Sequence, residues 1–313
     1  MRNCARRRDP RSSYGRHSKS RRGSEIAVNE IMRPASHQVD RPESQLLHSG
    51  NAGFIISRYA HFKPGHEQEG LNFVGEVLKH MNKADLNGMT FFFFQKAFGD
   101  QAKHHWFINM KSPLDYAASL EMVDHDETTR VLLEDGVVSD DGGFGSWGSA
   151  VEQGSITEHI LVPQHGLDYS HDEEHEAWVP EAWRQTAVPR EEQLNSANAP
   201  LMVHRVAYAR YPTRKEARYY AFAWQNYVNE HLRGKVTAYL YEETFGAMDR
   251  LHMLIHLASY EAWEELRNLP HRDPEFRKLL ERQMISPEKG GGTGAQAFVP
   301  GGVTDTLLVP RQL

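Results

Sequence analysis

Two pairs of segments show the two-residue period of strands that bury one face. In Lys103 to Met110 and Arg250 to Leu257 one alternate set is wholly apolar (Trp106, Ile108, Met110; Met253, Ile255, Leu257), while the other mixes apolar and polar groups (His105, Phe107, Asn109; His252, Leu254, His256). Met89 to Gln95 and Val236 to Glu242 precede them across a Phe-Gly turn region. Earlier strands are predicted over Phe54 to Phe62, halted by Lys63-Pro64-Gly65, and Leu201 to Tyr211, halted by Pro212. Helical spacing follows each, through Leu71, Val74, Val77, Leu78 and Met81 and through Tyr220, Trp224, Tyr227 and Val228, the second behind a Thr213-x-x-Glu216 capping box. Ser112-Pro113 and Ser259 read as caps of a second helix, and Asp126 and Asp273-Pro274 as caps of a short third one. A Gly-rich stretch, read as a flap, and a final strand close each series, at Ile156 to Val162 and at Val303 to Val309.

Both series have the order β-α-β-β-α-(α)-β, and they are one sequence written twice. Laid on each other at a constant offset from Phe54/Leu201 to Pro163/Pro310, roughly 24 of about 110 pairs are identical, where chance gives about 6 to 7. The expected organisation is a disordered tail over 1–49, repeat one over 50–163, an acidic linker over 164–200 and repeat two over 201–313. The fold class is α+β: two tandem ferredoxin-like βαββαβ repeats whose antiparallel sheets pack face to face as an intrachain α/β barrel, because each sheet has one face under helices and one face to hide.

The strand phases say what lines such a lumen. Repeat one contributes Tyr59, His61, Thr90, Phe92, Phe94, His105 and Asn109, and repeat two His204, Tyr208, Thr237, Tyr239, Tyr241, His252 and His256. Aromatic walls with a few polar groups suit a small-molecule ligand. His252 or His256 is the candidate general base and Tyr239 or Tyr241 the candidate oxyanion donor. The rest, with His105 strongest because both copies keep it, are candidate ligand contacts; the competing reading is that these groups satisfy one another in a packed core.

Composition trims the alternatives. Nine Lys/Arg fall within the first 25 residues although the chain's net charge is −6, so the folded remainder is acidic and offers nucleic acid no positive face. The basic tail is read first as an over-extended start, with Met32 the true one, then as plain disorder, then as a targeting or nucleic-acid-contacting segment. The single Cys4 excludes a disulfide framework and fits a reducing cytoplasm. No apolar run is long enough to span a bilayer. His171, Glu174 and His175 match an H-x-x-E-H zinc pattern, but among 18 histidines and in an acidic linker it reads as a solvated segment, and no metal is expected.

Several local motifs resemble the dimeric α/β-barrel superfamily, most nearly NIPSNAP-like proteins: Phe62-Lys63-Pro64-Gly65, Phe245-Gly246 running through Leu251 to Leu257 into Ser259-Tyr260-Glu261-Ala262-Trp263, and Asp273-Pro274-Glu275-Phe276. The resemblance implies a cofactor-independent oxygenase, isomerase or cyclase acting on a small aromatic or polyketide-like molecule. It equally implies a protein that binds haem or another small ligand without turnover, or a structural protein. No cofactor is expected under the first reading, and haem is the cofactor of the second. A homo-oligomer is compatible with all three.

Overall fold

The computed structural model describes residues 32–83, 88–134, 136–138, 144–164 and 181–313. In chain order the strands are β1 (Phe54–His61), β2 (Met89–Lys96), β3 (Lys103–Met110), β4 (Thr157–Pro163), β5 (Leu201–Ala209), β6 (Val236–Phe245), β7 (Arg250–Leu257) and β8 (Phe298–Pro310). The helices are α1 (Glu67–Lys83), α2 (Pro113–His125), α3 (Glu127–Glu134), α4 (Arg214–His231), α5 (Tyr260–Arg272) and α6 (Pro274–Glu281).

All eight strands join one closed antiparallel barrel in the order β1-β3-β2-β8-β5-β7-β6-β4. The expected packing of two sheets across a lumen is present, and the sheets also join edge to edge. Repeat one's β2 pairs with β8 (Phe94 opposite Pro310, Lys96 opposite Leu308), and its β4 pairs with repeat two's β6 (Leu161 opposite Glu243, Pro163 opposite Tyr241). Closure pairs both edges of each repeat's sheet along these seams.

Strand phase is as the alternation predicts. Trp106, Ile108 and Met110 lie with Phe73, Val74 and Leu78 of α1, and Met253, Ile255 and Leu257 with Phe222, Trp224 and Val228 of α4, while Phe92, Phe94, Phe107, Tyr239, Tyr241 and Leu254 form a separate lumen core. Ser112 caps α2 in a capping box with Asp115, and the Asp273 carboxylate accepts from the Glu275 and Phe276 amides at the start of α6. The box expected at Thr213 does not form. The Thr213 hydroxyl donates to the Ala297 carbonyl (3.3 Å) and Glu216 binds Lys289 (2.6 Å), so both anchor the Gly-rich segment before β8. That segment carries a short hairpin, Gln283–Ile285 with Gly292–Thr293, and β8 begins at Phe298, five residues earlier than Val303.

One part of the architecture is absent from the apolar pattern. Residues 32–53 and 181–200 form two equivalent arms across one end of the lumen. Each has a 3-10 turn, Ala35–Gln38 or Ala182–Gln185, then a second, Glu43–Gln45 or Arg190–Glu192. Gln38 accepts from the Phe93 amide and donates to the Phe93 and Arg311 carbonyls; Gln185 accepts from the Leu240 amide and donates to the Leu240 and Gln164 carbonyls. Each glutamine thus completes a strand edge just past the point where a seam stops. The arms meet at Ser49 and Ser196, 147 residues apart, where each amide donates to the other's hydroxyl at 2.9 Å. Ala35, Leu46, Ala52, Ala182 and Ala197 join the lumen core. The boundary expected at residue 49 therefore falls at Met32, where the unit Met32–Leu313 begins, and the end of the supposed linker belongs to repeat two. The tail before it and the H-x-x-E-H match lie outside the described residues.

Candidate functional site

At the end crossed by the arms, the predicted lumen groups have partners. The Thr90 and Thr237 hydroxyls accept from the Leu47 and Leu194 amides (3.0 and 2.9 Å), and the Tyr239 hydroxyl donates to Gln193 (2.8 Å). The Tyr241 hydroxyl donates to the Ser49 carbonyl. Burial pushes both phenols up, so they stay protonated. His256 Nδ1 faces the Thr237 carbonyl (3.0 Å) and must donate to it, which leaves Nε2 to accept from the Ser49 hydroxyl (2.9 Å). Burial holds His256 neutral, down to about 3. Asn109 donates to the Thr90 and Phe107 carbonyls, while its Oδ1 has no partner among the described residues. Thr90, Thr237, Tyr239, Tyr241 and His256 bind the arms to the barrel, and Phe92 and Phe94 join the lumen core.

The opposite end gathers Tyr59, His105, His204 and His252 with groups the sequence reading did not name. Glu243 lies inside the barrel and accepts from His252 Nε2 (3.1 Å), Arg250 (2.8 Å) and the Ala247 amide (3.2 Å), with His159 at 3.3 Å. Burial alone would raise its carboxyl, but the His252 and Ala247 hydrogen bonds and the nearby His159 and Arg250 hold it down at about 2. A charged Glu243 fixes the next tautomers: His252 donates from Nε2, its Nδ1 accepts from His204 Nε2 (2.9 Å), and His204 Nδ1 keeps a lone pair. On the facing wall Ser57 Oγ and both nitrogens of His105 have no partner. Tyr59 lies 5.7 Å from His105, ring to ring, with the Lys103 ammonium 3.4 Å from its centroid. His61 pairs with Asp100 (2.8 Å) and Tyr208 stacks under Arg250, both at the rim. His252 and His256, both expected in the lumen, serve opposite ends of it. Carrying the alternation of Tyr239 and Tyr241 one step further reaches Glu243.

Open space also lies on the other side of the sheet. A cavity of about 220 Å³ beneath α4 is lined by Arg205, Tyr220, Trp224, Met253 and Phe298 among others. The Arg205 guanidinium makes two 2.8 Å bonds to Asp305 and lies over the Trp224 ring at 5.0 Å. At the corresponding place in repeat one Trp147 packs on Phe73 and Trp106 at 5.1 and 6.0 Å, where repeat two has Gly294, Tyr220 and Met253. A Cβ on Gly294 would lie 2.1 Å from the Tyr220 ring. The cavity does not fit haem. Its one histidine, His252, turns its ring into the lumen and so offers the iron no axial ligand. Among the described residues no cluster of three or more His, Cys, Asp or Glu is arranged to hold a metal, and no helix is long and apolar enough to cross a membrane.

The sequence matches the model of a family of unknown function, DUF6039, over residues 25–313, and the chain belongs to that family. No protein of curated function matches it. Among solved structures it is similar to a candidate monooxygenase of Fusobacterium nucleatum subsp. nucleatum (TM-score 0.52, 8% identity, covering 83% of this chain and 94% of that one). It is also similar to a candidate monooxygenase of Lactobacillus acidophilus NCFM (0.48, 6%, 82% and 93%) and to an anthrone oxidase-like protein (0.47, 13%, 85% and 94%). The first likeness supports the ferredoxin-like α/β-barrel fold and nothing about chemistry.

Proposed function

We propose that this DUF6039 member acts on a small aromatic or polyketide-like molecule, and that the molecule sits in the cavity beneath α4 rather than in the lumen first expected. The observation that carries this is the difference between the halves. The same place holds Trp147 against Phe73 and Trp106 in repeat one and is open in repeat two, lined by aromatic and aliphatic groups with one guanidinium and one phenol. Such a pocket holds a flat apolar body and offers hydrogen-bond donors to one oxygen on it.

Burial raises the Tyr220 phenol and Arg205 draws it back, while the Asp305 pair outweighs burial to keep Arg205 charged. A phenolic or enolic substrate that becomes an anion would find both donors already oriented. That suits a cofactor-independent oxygenation in which the substrate supplies the electrons: a CH2 becomes a carbonyl with one atom of O2, and the other atom leaves as water. Kinship with NIPSNAP-like proteins and a cytoplasmic location belong to this reading only.

The test is to titrate the protein with a dihydroxyanthrone and other polycyclic phenols, following tryptophan fluorescence and oxygen uptake. Saturable quenching with oxygen uptake is expected. Ala221→Leu should abolish both by filling the cavity, and Tyr220→Phe should slow uptake more than it weakens binding. Quenching without uptake would make the protein a carrier. Quenching that survives Ala221→Leu would remove the ligand from this cavity.

A further inference from the structure

The polar end of the lumen, on the other side of the sheet from the α4 cavity, is unusual for a barrel core. By strand phase β1 to β7 direct Ser57, Tyr59, Lys96, Lys103, His105, His159, His204, Glu243 and His252 toward it. Its charges do not balance. Glu243 takes up Arg250 and lies against His159, and Asp100 is bonded to His61, which leaves the Lys96 and Lys103 ammonium groups, the latter over the Tyr59 ring, without a carboxylate hydrogen-bond partner among the described residues. Ser57 and His105 are buried with no partner for the hydroxyl or either ring nitrogen. Buried polar groups are nearly always satisfied, so unpartnered donors converging beneath two cations mark a place made for acceptors.

We propose that this end of the lumen binds a small oxyanion, in a site distinct from the α4 cavity. The anion takes hydrogen bonds from Lys103, an imidazole N–H of His105 and the Ser57 or Tyr59 hydroxyl. The Glu243-His252-His204 chain adds a recognition element. Because His204 donates to His252, its Nδ1 can only accept, so the floor of the site selects an oxyanion that also carries a hydroxyl or a protonated oxygen. A hydroxycarboxylate and hydrogen phosphate share that chemistry; a simple carboxylate lacks it. The preference for neutral imidazoles here agrees with the positive surroundings: burial first, then Lys103 and Lys96, hold His105 down at about 3.

The experiment is calorimetric titration of the full chain at pH 6 with glycolate, acetate and inorganic phosphate, alongside NMR titration of its histidine ring nitrogens. Saturable binding is expected, with glycolate or phosphate at least tenfold tighter than acetate; which of the two wins identifies the source of the oxyanion. Binding should raise the His105 pKa, and Lys103→Met and His105→Leu should each weaken affinity at least tenfold. Ala221→Leu, which fills the other cavity, should leave anion affinity unchanged. No saturable heat, or equal affinity in wild type and Lys103→Met, would mean an adventitious ion only and would overturn the site. Should His105→Leu fail to fold, an unmoved His105 pKa in the wild-type chain at saturating glycolate and phosphate would overturn it on its own.

Discussion

Repeat one and repeat two share strand order, helix order and arm contacts, yet they fill the volume under the first helix in opposite ways. Under α1 two indoles, Trp106 and Trp147, pack with Phe73; under α4 the same positions hold Met253, Gly294 and Tyr220, and a cavity remains. The polar residues of the lumen divide as unevenly. His105 stands without a hydrogen bond, whereas its counterpart His252 lies in a chain of four bonded groups. A backbone held fixed by shared hydrogen bonds leaves side-chain volume and charge free to diverge, and one half became filler while the other kept space.

The largest effect should come from parting the halves. Residues 32–164 or 181–313 alone lose both seams and bare the lumen core, so light scattering should find dimers or aggregates and calorimetry no monomeric transition. Two stable monomers would dissolve the comparison. Next, a chain starting at Ser49, which the apolar pattern alone would expect to melt like the full one, should lose more than about 10 °C because Ala35, Val39, Leu46 and Leu47 are buried. Gln38→Ala should cost about 2–4 kcal/mol by denaturant unfolding, since it strands one amide and two carbonyls, and Gln185→Ala should cost more, because it also strands the buried Gln225 side-chain nitrogen. A smaller loss for Gln185→Ala than for Gln38→Ala would break the comparison.

The filled and open volumes can be set against each other directly. Trp147→Gly should destabilise by about 3–5 kcal/mol, whereas Ala221→Leu, filling the α4 cavity, should change stability by less than about 1 kcal/mol. The smallest effect is electrostatic. His105 and His256 have pKa values lowered to about 3 by burial, so the stability they contribute is complete above the unfolded value near 6.5 and is lost as pH falls toward 3. At pH 5 each should cost about 2 kcal/mol relative to pH 7.5, and His105→Leu should flatten the slope by its own share alone, since His48 and His104 are lowered by burial as well. Glu243, lowered to about 2, adds a further loss only below about pH 4.5. A midpoint that does not move between pH 7.5 and 5 would mean that these imidazoles are charged in the fold.

Alternation made the barrel legible: with one wholly apolar face on β3 and β7, inside and outside followed for every strand paired to them. The arms were not legible, since they are held by side-chain-to-backbone bonds rather than a periodic apolar face. Their trace in the sequence lies in identities rather than in a period: Ala35/Ala182, Gln38/Gln185, Pro42/Pro189, Leu47/Leu194, Ser49/Ser196, Asn51/Asn198 and Ala52/Ala199 stand at the offset of the repeat. The interior histidines were foreseen from phase, but their partners were not: nothing in a one-dimensional pattern places Glu243 against His252, or separates His252 from His256 by the length of the lumen. The α4 cavity depends on volumes facing each other across a helix and a sheet, and Gly294 opposite Tyr220 is visible only once the two are in contact.

The seam between β2 and β8 also has a consequence in time. β2 emerges early in synthesis and β8 last of the eight strands, so the wall of repeat one must wait, one edge unpaired, until the whole of repeat two has left the ribosome. During that wait the edge of β2 can find a wrong partner, including the same strand on a neighbouring nascent chain, and the lateral glutamine of the first arm is the group in place to occupy part of it. Gln38 would then act as a guard of the unfinished barrel before it is a brace of the finished one, and its loss would show in the yield of folded protein sooner than in its melting point.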